Sequence, residues 1–353
     1  MNHVLVPSAL SQGLVPDPMD APAVRWGILG AGNIAATLTR AVTSRTASSV
    51  VAVGSRGAQK AQLFIDEHLG GDASVTAHGS YEELVADPSV DVIYVATPHS
   101  HHREHALLAI NAGKHVLVEK SFTRNEAEAQ EVLDAAREQG VFVMEAMWTR
   151  FLPHVAAVRD VIDRGVIGEV NTIMADHGFL FPYDPNHRIY NINLAGGGLL
   201  DLGVYPVSFV HDVLGVPEQV HAHGSLTSDG VDGQISMIFQ YAYAAQAHLH
   251  TSIVGRTPGG ASIVGSLGRI DIPPAFYRPN GFTVNTYAGE RFEYQPDADV
   301  LGFEFQAAEV ARCITHGATQ SARMSWTATL EVMRTMDEIR RQVGVVYPGE
   351  TAA

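Results

Sequence analysis

Along residues 24–146 the apolar positions switch repeatedly between two periods. Val24–Leu29 and Ser49–Val53 read as strands, while Ile34–Ser44 and Ala58–Leu69 carry apolar residues at helical spacing. Ser80 opens a short helix at Tyr81–Ala86, with Glu83 three residues on as the reciprocal cap. Val90–Ala96, Val116–Val118 and Val141–Met144 are short β-rich runs, separated by helical patterns over Arg103–Ala112 and Asn125–Glu138. Such alternation predicts right-handed crossovers and a parallel sheet covered by helices on both faces.

Beyond residue 150 the pattern changes. Phe151–Arg164 predicts one more helix, closed by Gly165; Glu169–Phe179 predicts a long strand and Gly197–Leu214 a helix. Residues 218–295 then give strand-like runs such as Gln234–Tyr241, Gln246–Ile253, Ser262–Val264 and Phe282–Tyr287, punctuated by Gly and Pro. An antiparallel sheet fits them, hence a second, α+β domain. Two helices close the chain, with Phe303, Ala307, Val310 and Ile314 at helical spacing, then Val332, Met336, Ile339 and Val343.

Composition narrows the function classes. A chain of 353 residues that is 46% apolar suits two cored domains, and no apolar run is long enough for a membrane span. Its 23 basic against 38 acidic residues leave a net charge of −15, which excludes the broad basic field of a nucleic-acid or anionic-membrane binder. Cys313 is alone, so there is no intrachain disulfide and no thiolate metal centre, and a cytoplasmic location is the expectation. Residues 1–22, with Pro7, Pro16, Pro18 and Pro22, lack a signal-peptide pattern and read as a flexible arm. Met19-Asp-Ala-Pro-Ala leads directly toward the first strand and makes Met19 an alternative start.

The first strand ends in Gly30-Ala-Gly32-Asn33-Ile34-Ala35. Gly30 permits a tight strand-to-helix turn, Gly32 lets backbone approach a pyrophosphate, and the helix N-terminus offers unpaired N–H groups to it. The fold class predicted is thus α/β: a Rossmann dinucleotide-binding domain over 23–147, then an α+β domain over 148–353 with a large, mostly antiparallel sheet. The final helices are free to pack back on the first domain. An NAD-binding unit carries an acidic residue at the end of the second strand. Here Val50–Val53 runs into Gly54-Ser55-Arg56, and Lys60 follows one turn on. Ser55 and Arg56 suit a ribose phosphate, Arg56 in a fork, so NADP is expected rather than NAD.

Two further turns fall at strand carboxyl ends, the ligand edge of an open α/β sheet: Thr97-Pro98-His99-Ser-His-His102 and Glu119-Lys120. His99, His101, His102 and His105 are not spaced to share one face, so no metal site is predicted. Lys120 is placed to polarise a hydroxyl or carbonyl. Together with Ala112-Gly-Lys-His-Val-Leu-Val-Glu-Lys120 and Ala195-Gly-Gly-Gly-Leu-Leu-Asp-Leu-Gly-Val-Tyr205-Pro, these motifs resemble the glucose–fructose oxidoreductase/inositol dehydrogenase (Gfo/Idh/MocA) family from residue 24 onward. One departure is Ser121, where the family usually has Pro after the Glu-Lys pair.

The resemblance implies a catalytic role for Lys120, Tyr205 and Asp201, and cofactor contacts from Gly30, Gly32, Asn33, Ile34, Ser55, Arg56, Lys60, Thr97, Pro98, His99, His102, Glu119 and Lys120. Tyr205, where many members have His, and Met147-Trp148-Thr-Arg150 resemble the branch with dimeric dihydrodiol dehydrogenase and NADP-dependent D-xylose dehydrogenase. Trp148, Arg150, Arg188, Asp201 and Tyr205 are then the expected substrate contacts. Gly196–Gly198 permit close backbone approach, expected near substrate or nicotinamide. A tyrosine with its ordinary pKa of ~10 is a poor base at neutral pH unless a cation lowers it. Lys120 supplies that charge, with Tyr205 as acid/base.

The resulting expectation is hydride transfer between nicotinamide C4 and a hydroxyl or carbonyl carbon of a sugar, polyol or cyclic diol. An open-faced C-terminal sheet, and a homodimer or homotetramer through it, are implied by the same resemblance. The alternatives are an NAD-dependent glycoside-cleaving enzyme of this fold and a non-catalytic cofactor-binding protein.

Overall fold

The computed structural model describes residues 14–297 and 299–350. The chain forms two compact units, Asp17–Trp148 with Leu301–Met333, and Thr149–Val300 with the segment from Arg334 onward. Most of the predicted arm, residues 1–13, lies outside the described residues. Its last part is not an arm: Pro18–Asp20 is a single 3-10 turn capped by Asp17, Pro18 and Ala21 are buried, and Arg312 donates to the Asp17 carbonyl at 2.6 Å.

The first unit runs β1 (Arg25–Leu29), α1 (Asn33–Arg45), β2 (Ser49–Gly54), α2 (Ala58–His68), β3 (Thr76–His78), α3 (Tyr81–Ala86), β4 (Val92–Val95), α4 (His102–Asn111), β5 (His115–Glu119), α5 (Glu126–Gln139) and β6 (Val143–Ala146). Its six strands lie in the order β3-β2-β1-β4-β5-β6, and every pairing is parallel. β4 and β6 are buried at every position, as expected for strands covered on both faces. Caps follow the sequence signals. Ser80 Oγ accepts from Glu83 N, Glu83 Oε2 accepts from Gly79 N, and Asn125 Oδ1 accepts from Glu128 N. Leu29, Val95, Val118, Phe122, Leu133 and Val143 belong to one core cluster that takes in Trp326 and Met333 from the end of the chain.

The second unit contains α6 (Pro153–Asp163), β7 (Val170–Gly178), α7 (Val204–Leu214), β8 (Gln219–Leu226), β9 (Asp232–Gln240), β10 (Gln246–Ser252), β11 (Ala261–Gly265), β12 (Gly268–Ile272), β13 (Phe282–Thr286) and β14 (Arg291–Tyr294). The closing helices are α8 (Phe303–Thr315) and α9 (Trp326–Val343), and the division between units falls within α9. The sheet order is β14-β13-β12-β11-β7-β10-β9-β8. It is antiparallel except where β7 meets β10 in parallel, a pairing that the strand-like runs alone did not reveal. Burial alternates along β9 and β10, so one face is covered and the other open.

Two helix boundaries differ from expectation for local reasons. α6 begins at Pro153 rather than Phe151, because the residue before a proline is biased away from helix, and Trp148–Phe151 forms a separate 3-10 turn. The run expected to be one helix over Gly197–Leu214 starts later, with a π turn over Leu199–Gly203 that passes directly into α7.

Candidate active site

The first unit presents an open phosphate cradle. Gly30 has φ +105°, and a Cβ there would stand 3.0 Å from the Ala96 carbonyl. At Gly32 a Cβ would meet nothing within 4 Å. Gly32 is also the N-cap of the 13-residue α1 and supplies no side-chain cap to its first N–H groups. Ala35 is fully buried, as its packing role requires. These features fit a dinucleotide pyrophosphate.

At the end of β2, Ser55 is buried, its N–H donates to the His78 carbonyl at 3.3 Å, and Arg56 and Lys60 are exposed. Burial pushes the Tyr81 phenol upward in pKa, and the Arg56 charge opposes that shift. The strand end carries a cation and no carboxylate.

The histidines after β4 tie two turns together. His99 Nε2 donates to the Lys120 carbonyl at 3.2 Å. His102 is fully buried, with Nδ1 and Nε2 each 2.8 Å from a carbonyl, those of Ser121 and Thr97. Burial pushes its pKa down to about 4, so at neutral pH the ring holds one N–H and donates to one of these carbonyls at a time. Thr97 Oγ1 pairs with His105 Nδ1 at 3.0 Å, and the His105 ring stacks on His101 at 5.5 Å. Among the described residues no group of three or more His, Cys, Asp or Glu is placed to hold a metal. Pro98 precedes this turn and is half-buried.

Glu119 is buried at the end of β5. Tyr94 on β4 donates its hydroxyl to Glu119 Oε1, and Glu119 Oε2 accepts from Lys120 N at 3.2 Å. Lys120 itself is half-buried, and the Lys120–Ser121 peptide, where the family has proline, is cis. Tyr94 was hidden from sequence reasoning inside an apolar strand run; the signal was a lone hydroxyl in a stretch otherwise buried and apolar.

In the second unit Arg188 and Asp201 form an ion pair, with Nη1 and Nη2 both 3.1 Å from Oδ1. Tyr205, the second residue of α7, is buried against two rings that the sequence did not single out. Tyr277 lies 4.7 Å and His177 5.3 Å from it between centroids, and those two stack on each other at 4.1 Å. Two of the expected substrate contacts make packing contacts within their units. Arg150 is buried and donates from Nε to Ser208 Oγ at 3.0 Å and from Nη2 to the Ser208 carbonyl at 3.1 Å. Trp148, in the first unit, is buried with its ring 4.5 Å from Phe303.

The glycines before Asp201 have a different cause from the one expected. A Cβ at Gly196 would stand 2.6 Å from the Arg188 and Ile189 carbonyls, and one at Gly197, 2.1 Å from Asp232 Oδ1. Protein atoms, not a ligand, fill that space. Cys313 is half-buried on α8, and burial together with Glu309 pushes its thiol up to about 12, which removes it as a nucleophile.

Two family models match the chain in succession. Residues 24–147 match the oxidoreductase family with NAD-binding Rossmann fold, and residues 155–271 match the GFO/IDH/MocA C-terminal domain. The chain is 37% identical to trans-1,2-dihydrobenzene-1,2-diol dehydrogenase of Danio rerio, over 92% of this chain and 98% of that protein. It is 33% identical to D-xylose 1-dehydrogenase (NADP(+)) of Hypocrea jecorina, over 92% and 93%. Among solved structures, aldose-aldose oxidoreductase from Caulobacter crescentus shares the fold with a TM-score of 0.82 at 24% identity, over 92% of this chain and 98% of that one.

Proposed function

The chain belongs to the GFO/IDH/MocA oxidoreductase family, and from that premise we propose an NADP-dependent dehydrogenase/reductase acting on CH–OH groups of a sugar, polyol or cyclic diol. The observation that carries the cofactor reading is the open Gly32 position at an uncapped helix start, beside a strand that ends in Ser55-Arg56 without a carboxylate. The names of the relatives, a diol dehydrogenase and an NADP(+) xylose dehydrogenase, support the substrate class and the cofactor.

When bound, NADP supplies the hydride acceptor for oxidation and, as NADPH, the donor for reduction. The Gly30–Ile34 turn would hold its pyrophosphate, and Ser55, Arg56 and Lys60 would hold its ribose phosphate. The Thr97–His102 turn and Glu119 support the cofactor side of Lys120. Tyr205 Oη takes the proton of the substrate hydroxyl in oxidation and returns it in reduction. Lys120, at the end of β5 in the first unit, is the other acid/base group of this reading. Asp201, held by Arg188, orients a substrate hydroxyl.

The test is turnover of aldoses, ketosugars, inositols and vicinal diols with NADP and NAD, in both directions. Net NADPH formation supports the reading; glycoside cleavage without it supports the alternative chemistry. Tyr205→Phe should lower kcat by about 100-fold or more while NADP binding stays within twofold. Retained turnover would move the proton to Lys120.

We also infer a homodimer or homotetramer through the open sheet face, in a reducing, cytoplasmic setting that suits the single Cys313. His221, His223, Ser236, Ile238, His248 and His250 lie on that face and carry no carboxylate, Lys or Arg. The same face carries Asp176 on β7 and Asp271 on β12, so in a chain of net charge −15 its β8–β10 part, without carboxylates, is where a second copy is least repelled. Ile238→Glu should shift the mass seen by light scattering to the monomer; an unchanged mass would remove this face from the assembly.

A further inference from the structure

We propose that Asp232 is a positioning residue for the reaction: its buried carboxylate holds the Gly197–Leu199 turn from which the helix bearing Asp201 and Tyr205 departs, while Tyr347, near the chain's end, holds Gly196. The proposal rests on the reading of Tyr205 and Asp201 given above.

The geometry lies within the second unit. Asp232 is the first residue of β9 and is fully buried. Its Oδ2 accepts from Leu199 N at 2.6 Å, at the mouth of the π turn. Around it the turn is held from every side. Gly196 N donates to the Asn191 carbonyl at 3.0 Å and Gly197 N to the Ile189 carbonyl at 2.8 Å. The Gly196 carbonyl accepts from Tyr347 Oη at 3.1 Å and the Gly198 carbonyl from Thr251 Oγ1 at 3.3 Å.

Tyr347 is anchored in turn. The Arg340 guanidinium lies 4.8 Å from the centre of its ring. Arg340 is tied to Asp337 at 2.9 Å and to Glu350 at 2.8 Å. Gly197, with φ +113°, is pressed so close to Asp232 that no side chain fits between them.

This arrangement serves more than stability because of where the helix leads. The π turn over Leu199–Gly203 passes directly into α7, so the angle at Leu199 sets the direction of Asp201 and Tyr205. A phenol reaches far from its Cα, which magnifies a small rotation at the start. A misplacement of about 1 Å in a reacting group costs on the order of 100-fold in rate. Asp232 Oδ1 has no hydrogen-bond partner among the described residues, and burial pushes the carboxyl up to about 7. An apolar residue or a capping Ser would avoid that cost, which is consistent with a carboxylate kept for its double-oxygen shape against the turn.

The experiment compares Asp232→Asn, Tyr347→Phe and Tyr205→Phe with the wild-type full chain, using whichever of the sugars and diols above the wild type turns over fastest. For Asp232→Asn we expect kcat per bound NADP to fall about 10-fold, with the NADP Kd within twofold, since the cofactor turn is untouched. Amide hydrogen exchange by mass spectrometry should rise over residues 199–210 and not over residues 25–55. Tyr347→Phe should move both readouts the same way, by less, and serves alone if Asp232→Asn does not fold.

Unchanged kcat per bound NADP in the folded variants would overturn the proposal. So would unchanged exchange over 199–210, which decides the matter alone if no substrate tried is turned over. If Tyr205→Phe retains full turnover while Asp232→Asn loses it, the acid/base reading of Tyr205 fails but Asp232 still positions the helix, through Asp201.

Discussion

Two glycine-rich turns start the two helices that matter most here, and they are glycine-rich for opposite reasons. At Gly30–Gly32 the protein leaves a vacancy: nothing lies within 4 Å of a Cβ built on Gly32. At Gly196–Gly198 the protein fills the space itself, with the Arg188 and Ile189 carbonyls and the Asp232 carboxylate. The first α-helix begins without a side-chain cap; the second receives a buried carboxylate on Leu199 N. One helix start is left open, as the proposed cofactor phosphate requires, and the other receives a carboxyl group of the protein itself. Glycine in a sequence therefore reports close approach without saying what approaches.

The sharpest way to break the comparison is to put a charged side chain into the vacant turn. Gly32→Glu has room in the protein and should leave the melting temperature within a few degrees. Yet its carboxylate would occupy the pyrophosphate position, and NADP affinity should fall on the order of 1,000-fold, as titrated by cofactor fluorescence. A fall in stability without a fall in affinity would show that the vacancy is not the cofactor's.

The matching change in the filled turn should act the other way round. Gly197→Ala places a Cβ 2.1 Å from Asp232 Oδ1 at a φ of +113°, so both clash and backbone strain oppose it. A loss of about 2–4 kcal/mol in unfolding free energy is expected, read by denaturant titration, with NADP affinity of the folded fraction unchanged. Equal stability would mean that the turn is looser than its contacts imply.

The same contrast explains what was legible in the sequence. The parallel unit could be read almost element by element, because strands buried on both faces leave unbroken apolar runs, as in Val92–Val95, and the helices between carry caps such as Ser80 and Asn125. Most boundaries moved by one to three residues; the three-residue edge strand Thr76–His78 left no signal. The parallel contact of β7 with β10 escaped, since pairing partners are not written in either strand's own pattern.

In the site, residue types were legible and their surroundings were not. Gly197 could be singled out, but Asp232 lies 33 residues beyond Leu199 on another strand. Arg150 reads as a candidate ligand contact, and its hydrogen bonds to Ser208, 58 residues away, are not written in the sequence. Tyr277 and His177, packed on Tyr205, sit in strand and loop runs that bury aromatic rings anyway.

A smaller effect sharpens the identity of what enters the open turn. Arg56 is exposed at the end of β2, so its replacement should not disturb the core. Arg56→Glu should weaken NADP binding about 10- to 30-fold and leave NAD binding within about threefold, because only NADP carries the extra phosphate. Equal losses for both cofactors would return the ribose end to an undecided NAD or NADP site, although the vacancy at Gly32 would stand.

The smallest effect concerns the carboxyl group that fills the second turn. Burial raises the Asp232 carboxyl from an ordinary 3.8 to about 7, against the smaller, opposing pull of the Leu199 and Gly198 N–H groups. A folded-state pKa above the unfolded one means that the native protein binds the proton that the unfolded chain has released. The stability tied to that proton is therefore fully present below pH ~4 and is lost as pH rises through ~7. Between pH 6 and 8 the loss should be about 1 kcal/mol. Asp232→Asn cannot ionise, so its melting temperature relative to wild type should climb from pH 6 to pH 8. No comparable slope is expected from Gly32→Glu, whose carboxylate would lie in solvent in both states. A wild-type minus Asp232→Asn difference that is flat across this range would mean that water or a cation reaches Oδ1, and that the filled turn is less closed than the open one is open.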